Sequence, residues 1–348
     1  QAVQVYGGGT PASPMIFRDA TFQSTNRGCS NQDGGRSAIW ASQTFIRVES
    51  SFFIGGDFGL SIRNSAGEVS NTSIDVRCNG IDVYGTKAIG STVYNVKISD
   101  NVINTIDRTP ITAYQGAEVH IQNNQLAGAG QGSGIAIRDS NAEIHNNNIG
   151  PIGGWNGLWL LGNFDVIAEN NSIVETAREA VLAGEYGNNA PSPTQARLYL
   201  ANNSISSQGS GQCSSSRWWE GSFICPLIMA HRTGVTAVDN VFDSEGDADG
   251  IRATGAILDF RRNVFNTGGT GAILQNYDSG FSGQQEYGTL GFFSGNEWNN
   301  VGVTYNVSKS SVTVQSEYIP SPPDGDSPVV LSWDDQEAWV NKGWQNGI

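Results

Sequence analysis

Eight copies of one short pattern, apolar-x-x-Asn-x-apolar, recur along the chain, and no other feature restricts its fold as much. They read ISDNVI (98–103), IQNNQL (121–126), IHNNNI (144–149), AENNSI (168–173), LANNSI (200–205), AVDNVF (237–242), FRRNVF (260–265) and FSGNEW (293–298). The anchoring residues Asn101, Asn124, Asn147, Asn171, Asn203, Asn240, Asn263 and Asn296 are spaced by 23, 23, 24, 32, 37, 23 and 33 residues. A base period near 23 with a few extended members describes a solenoid with local insertions.

A second element recurs after a polar or Gly-rich gap: GIDVYG (80–85), PITAYQ (110–115), GIAIRD (134–139), GLWLLG (157–162) and GIRATG (250–255), with earlier, weaker copies in GLSIRN (59–64) and SNTSID (70–75). Apolar and polar residues alternate within these elements, which is the period of a half-buried strand. Helical periodicity is absent from the repeats. A turn of about 23 residues is too short for a four-stranded propeller blade of about 40. The reading that remains is all-β, a right-handed parallel β-helix solenoid of about ten coils, roughly 23 residues per coil, with capped ends. Asn suits the ladder position because it tolerates a left-handed corner and its amide can bond the Asn above and below.

The coils resemble the right-handed parallel β-helix proteins of the pectin-lyase-like superfamily, in which NNxI, a gap and GIxI recur. The resemblance covers residues 44–308. It implies a substrate groove on the GIxI sheet, and the superfamily includes polysaccharide lyases, glycoside hydrolases, epimerases and non-catalytic surface proteins. Residues 1–43 and 309–348 fall outside the repeat and are expected to cap the ends, since an exposed terminal coil leaves strand edges unpaired. The last segment, 329–344, reads as a strand and a short amphipathic helix.

Composition narrows the function classes. The 348-residue chain has a formal charge of -14, and its lysines stand only at 87, 97, 309 and 342, so a nucleic-acid partner is disfavoured. No apolar run approaches the roughly 18 residues of a membrane helix. No leader is visible ahead of Gln1, so the chain reads as soluble or as the exported remainder of a precursor. Four cysteines without metal-ligand spacing suggest the disulfides Cys213–Cys225 and Cys29–Cys78, hence an oxidising, extracellular or cell-surface location. Sequons at Asn71, Asn170, Asn202 and Asn306 fit export, although so Asn-rich a chain produces them by chance.

Alternation along the GIxI strands gives two outward columns. The first is Ser61, Asp82, Thr112, Ala136, Trp159, Leu182, Ile228 and Arg252; the second is Arg63, Tyr84, Tyr114, Arg138, Leu161, Gly184, Ala230 and Thr254. Arg63, Tyr84, Tyr114 and Trp159 are expected to bind sugar, aromatic faces stacking on pyranose rings while guanidinium groups bond hydroxyls or carboxylates. Arg108 and Trp155, from the loops before the strands, join them. The insertions 184–195, 206–225 and 276–288 border the same strands, and the loop 206–225, with Trp218 and Trp219, is expected to cover Leu182 and Ile228, placing Trp219 among the binding residues.

Hydrolysis of a glycosidic bond needs two carboxyl groups about 5–9.5 Å apart, and Asp82 with Asp107 is the best pair. Elimination needs a base and a cation opposite a uronate carboxylate, which suits Arg138 with Arg108. The RxPxxR-like arrangement of pectate lyases, the NTD, DD, GHG and RIK signatures of polygalacturonases and the DPHD of mannuronan epimerases are absent. The leading expectation is therefore a polysaccharide-binding and polysaccharide-cleaving protein, the alternative a non-catalytic adhesive β-helix, with monomer or homo-oligomer undecided.

A rival cluster stacks Lys97, His120 and Glu143 at one position and Ser99, Gln122, His145 and Glu169 two residues later, suited to a metal or to acid–base work. Mutually satisfied surface charges are the blander account. His231, near the insertions, has no assigned partner. The acidic run DSEGDADG (243–250) suggests calcium but lacks calcium-loop spacing, so no cofactor is expected.

Overall fold

The computed structural model describes residues 3–25, 29, 37–89, 92–128, 130–184, 195–208, 212–213, 223–275, 289–308 and 311–315. They form a parallel β-helix and contain no helix. The chain divides into two compact units, Gln1–Ala177 and Arg178–Ile348.

In the first unit, each coil contributes one strand to each of three parallel arrays. The GIxI array contains Val3–Tyr6, Ser37–Ser42, the start of Phe58–Ser70, Ile81–Ile89, Ile111–Tyr114, Ile135–Arg138 and Leu158–Leu161. A second array precedes the Asn corner, from Met15–Arg18 to Phe164–Glu169, and a third follows it, from Thr21–Gln23 to Ser172–Thr176. Inward residues stack by type: Ile81, Ile111, Ile135 and Leu158 share one column, and Val83, Ala113, Ile137 and Leu160 share another, all without solvent exposure. Each large one removed from water contributes roughly 1.5–3 kcal/mol.

The asparagines form buried ladders. Asn101 N and Nδ2 both donate to Asn124 Oδ1 at 3.0 Å, Asn124 repeats this with Asn147 at 2.9 Å, and Asn147 with Asn171. Each Nδ2 also reaches a carbonyl of the preceding coil, as Asn147 does to Ile121 O at 2.9 Å. The corner's left-handed residue is not the ladder Asn, as expected, but the one before it: Asp100, Asn123, Asn146 and Asn170 have φ between 54° and 58°. The ladder side chain must point inward to bond its neighbours, so the preceding residue takes the turn.

The stack begins earlier than the Asn anchors indicate. Val3–Tyr6, Met15–Arg18 and Thr21–Gln23 pair in parallel with the strands of the next coil. Ser and Thr replace Asn in these coils: Ala20 N donates to Ser51 Oγ, and Thr72 N to Asn101 Oδ1.

The second unit repeats the plan with the ladder Asn203, Asn240, Asn263, Asn296. Its core is aromatic, Phe242 stacked on Phe265 at 4.6 Å and Phe265 on Trp298 at 4.3 Å. Ile257–Arg261 pairs with Leu290–Ser294, which pairs in turn with Ser311–Gln315, so coil strands continue past 308. The remainder of the C-terminal segment lies outside the described residues.

Candidate functional site

The expected outward columns hold through Leu161. Trp40, Ser61, Asp82, Thr112, Ala136 and Trp159 lie in register on successive strands, as do Ser42, Arg63, Tyr84, Tyr114, Arg138 and Leu161. On the strand 228–231 the expectation is off by one, while Leu182, Arg252 and Thr254 keep their expected columns. Leu182 pairs with Met229 and Met229 with Arg252, while His231 pairs with Thr254, so Met229 and His231 occupy the outward columns, though both are buried, and Ile228 and Ala230 take the core positions. The run Leu227–Ile228–Met229–Ala230 is uniformly apolar and carries no parity signal.

One groove opens beside the outward columns of the first unit, a cavity of about 680 Å³ lined by Arg77, Asn79, Asp107, Arg108, Thr112, Tyr114, Gln131, Trp155 and Trp159, with Cys29 at its edge. Its size falls within the range of ligand sites. The loops entering successive GIxI strands stack to form one wall: Asp107 N donates to Arg77 O at 2.7 Å, Gln131 N to Asp107 O at 2.9 Å, and Trp155 N to Gly132 O at 2.8 Å. This stacking is so close that a Cβ on Gly154 would lie 1.8 Å from Gly130 O. The disulfide Cys29–Cys78, expected from the sequence, closes 49 residues and ties Cys29 to the same wall.

Asp107 points into the groove as an ion pair, its Oδ2 2.6 Å from Arg77 Nε and 3.7 Å from the Cys29 sulfur. Arg77 was not anticipated, because its loop precedes the strand by several residues and alternation does not extend into loops. Trp155 and Trp159 stand edge to face at 5.9 Å. Tyr84 and Tyr114 lie 5.3 Å apart, and the Arg63 guanidinium sits 4.3 Å over the Tyr84 ring. Burial, reinforced by the Asp82 carboxylate and Tyr84, holds the Tyr114 hydroxyl well above its ordinary pKa of 10, so it stays a proton donor.

Asp82 is 4% exposed and lies behind the groove wall rather than in it. Its Oδ1 accepts hydrogen bonds from Asn79 Nδ2 at 2.8 Å and from the Thr112 hydroxyl, both groove-lining residues. Burial raises its pKa above 3.8 against those hydrogen bonds and the nearby charges of Arg63 and Arg108. Arg138, expected to act in catalysis, does not line the cavity; it is half exposed and 3.7 Å from Asp139. Trp218 and Trp219 lie outside the described residues. So does the side chain of Cys213, the expected partner of Cys225, which is itself disulfide-bonded.

The rival cluster assembles in the register read from the sequence, His120 opposite Lys97 and Glu143, His145 opposite Gln122 and Glu169. Its imidazoles and carboxylates contact one another: His120 Nδ1 lies 2.9 Å from Glu143 Oε2, and His145 Nδ1 3.5 Å from Glu169 Oε2. Among the described residues no group of three or more His, Cys, Asp and Glu is spaced to hold a metal. In the acidic run, Asp249 Oδ2 pairs with Arg252 Nη2 at 3.0 Å and its Oδ1 accepts from Thr270 N at 2.9 Å. His231 is fully buried, and that burial, with help from Arg232, lowers its pKa to about 3.

No protein-family model matches the chain. No curated protein matches it either. Solved structures that it resembles include the catalytic domain of a GH87 α-1,3-glucanase in complex with nigerose, at 13% identity and a TM-score of 0.35 over 82% of this chain and 51% of that one. Others are the Agl-KA catalytic domain, at 11% identity and 0.44 over 88% and 62%, and the A-module of an Azotobacter vinelandii mannuronan C-5 epimerase, at 14% and 0.37 over 94% and 88%. The chain spans about half the length of the glucanase structures. None of the three lends a residue role to this chain.

Proposed function

We propose that the protein binds a polysaccharide segment in the groove between Arg77 and Trp159 and cleaves a glycosidic bond there, with Asp107 as the carboxylate at the reacting centre. The observation that carries this reading is the convergence of the Trp155–Trp159 pair, Tyr114 and the Arg77–Asp107 ion pair on one cavity. Indole and phenol faces suit the apolar faces of sugar rings, and fixed charges suit hydroxyls and carboxylates. Asp107 lines the cavity as an ion pair with Arg77, while Asp82, buried with a raised pKa, supports the wall through Asn79 and Thr112. The disulfide Cys29–Cys78 supports export to an oxidising compartment.

A second reading, glycan binding without cleavage, is favoured by the seat of Asp82 behind Asn79 and Thr112, which leaves Asp107 alone of the pair facing the cavity. Incubation with neutral and acidic polysaccharides, followed for new reducing ends and for ultraviolet absorbance of unsaturated products, separates these outcomes. Reducing ends alone mean hydrolysis, and both signals together mean elimination. Binding without either signal leaves the second reading, and absence of binding to any glycan removes both.

A further inference from the structure

The groove is part of a longer face. Its two outward columns continue toward the N-terminus, where Gln4 pairs with Trp40 and Trp40 with Ser61, and where Tyr6 pairs with Ser42 and Ser42 with Arg63. Trp40 and Tyr6 thus stand on the same sheet, facing the same way, as Thr112, Tyr114 and Trp159. Between the two aromatic groups the floor is low, because Ser42 and Ser61 are small and buried, and Arg63 lies flat over Tyr84 with its Nε 3.3 Å from Ser61 Oγ.

Tyr6 is 68% exposed, the most exposed large apolar side chain among the described residues. An aromatic ring left so open contributes little to folding by burial. Trp40 is partly exposed on the neighbouring strand. From Trp40 to Trp159 there are five strand-to-strand steps of about 4.8 Å, a straight run of about 24 Å.

We infer that Tyr6 and Trp40 form a second sugar-binding platform in line with the groove, so that the ligand is a long linear polysaccharide lying along the stacking direction of the coils. This rests on the groove being a glycan site. A ligand no longer than the groove gains nothing from Tyr6 and Trp40, whereas a chain that reaches both platforms gains a second set of stacking contacts without a second loss of translational freedom.

The test compares the binding of dextran, xylan, pectate and alginate chains with that of disaccharides and trisaccharides cut from the same polymers, using the full chain and its Tyr6→Ala, Trp40→Ala, Trp40→Phe and Trp159→Ala variants. The expected result is that one polymer binds at least about tenfold more tightly than its own short oligomers. Tyr6→Ala and Trp40→Ala should erase that margin without weakening the oligomers, Trp40→Phe should restore it, and Trp159→Ala should weaken both ligand lengths. If Trp40→Ala lowers the melting temperature, Tyr6→Ala, at its exposed position, decides. Equal affinity for long and short ligands, or a margin untouched by Tyr6→Ala, overturns the second platform and leaves the groove standing. No binding of any glycan overturns both.

Discussion

The Thr112 hydroxyl donates to the Asp82 carboxylate from the next coil, and Asn79 Nδ2 donates to the same oxygen, Oδ1. Asparagine at position 82 would keep that acceptor and remove the buried charge. Because burial raises the Asp82 pKa above 3.8, the native state favours the protonated acid, and the associated stability is present at low pH and lost as pH rises through the folded value. Asp82→Asn should therefore melt higher than the wild type at neutral pH, with the gap closing on acidification. A gap that does not vary with pH would count against this account.

His231 behaves in the opposite sense. Its folded pKa of about 3 lies below the ordinary 6.5, so the unfolded chain takes up a proton first and stability falls as pH drops from about 6.5 toward 3. His231→Phe should flatten that part of the acid-denaturation curve by a few kcal/mol, measured by urea unfolding at several pH values. An unchanged slope would show that His231 is not the titrating group.

Asn147 serves two coils at once, donating to Asn171 Oδ1, Ile121 O and His145 O while accepting from Asn124. Its replacement by Ala strands buried backbone and amide groups, and Asn147→Ala should cost about 2–4 kcal/mol in urea unfolding. A loss under about 0.5 kcal/mol, typical of a surface substitution, would refute the ladder's role.

Gly154→Ala would press a methyl group onto Gly130 O at 1.8 Å and Gly132 N at 2.5 Å, forcing apart the loops that hold Trp155. Both melting temperature and glycan affinity should fall. Gly116→Ala is the control: its Cβ meets nothing within 4 Å, so only its φ of +79° is penalised, at roughly 1–2 kcal/mol, and glycan affinity should not change.

Asp107→Asn removes the groove's carboxylate and its ion pair with Arg77. Product formation should drop about a hundredfold or more while glycan binding survives. Retained turnover would move the chemistry away from Asp107.

The Asn spacing alone located the corners, and parity along GIxI strands oriented Asp82, Tyr84, Tyr114 and Trp159 correctly, because a side-chain period of two leaves only two choices per strand. It failed in two places for identifiable reasons. Residues 227–230 are apolar without alternation, and the first coils carry Ser51 and Thr72 where later ones carry Asn, so Tyr6 and Trp40 went unnoticed.

By itself the sequence determined the repeat, the parallel coil and, as far as Leu161, which residues face outward, since each follows from local period along the chain. Only the tertiary structure decided that Arg77 meets Asp107, that Asp82 is hidden behind Thr112 and Asn79, and that Trp155 turns toward Trp159. Each of those relations involves a loop residue or a neighbouring coil, where no period constrains the side chains and depth below the surface depends on how closely one coil rests on the next.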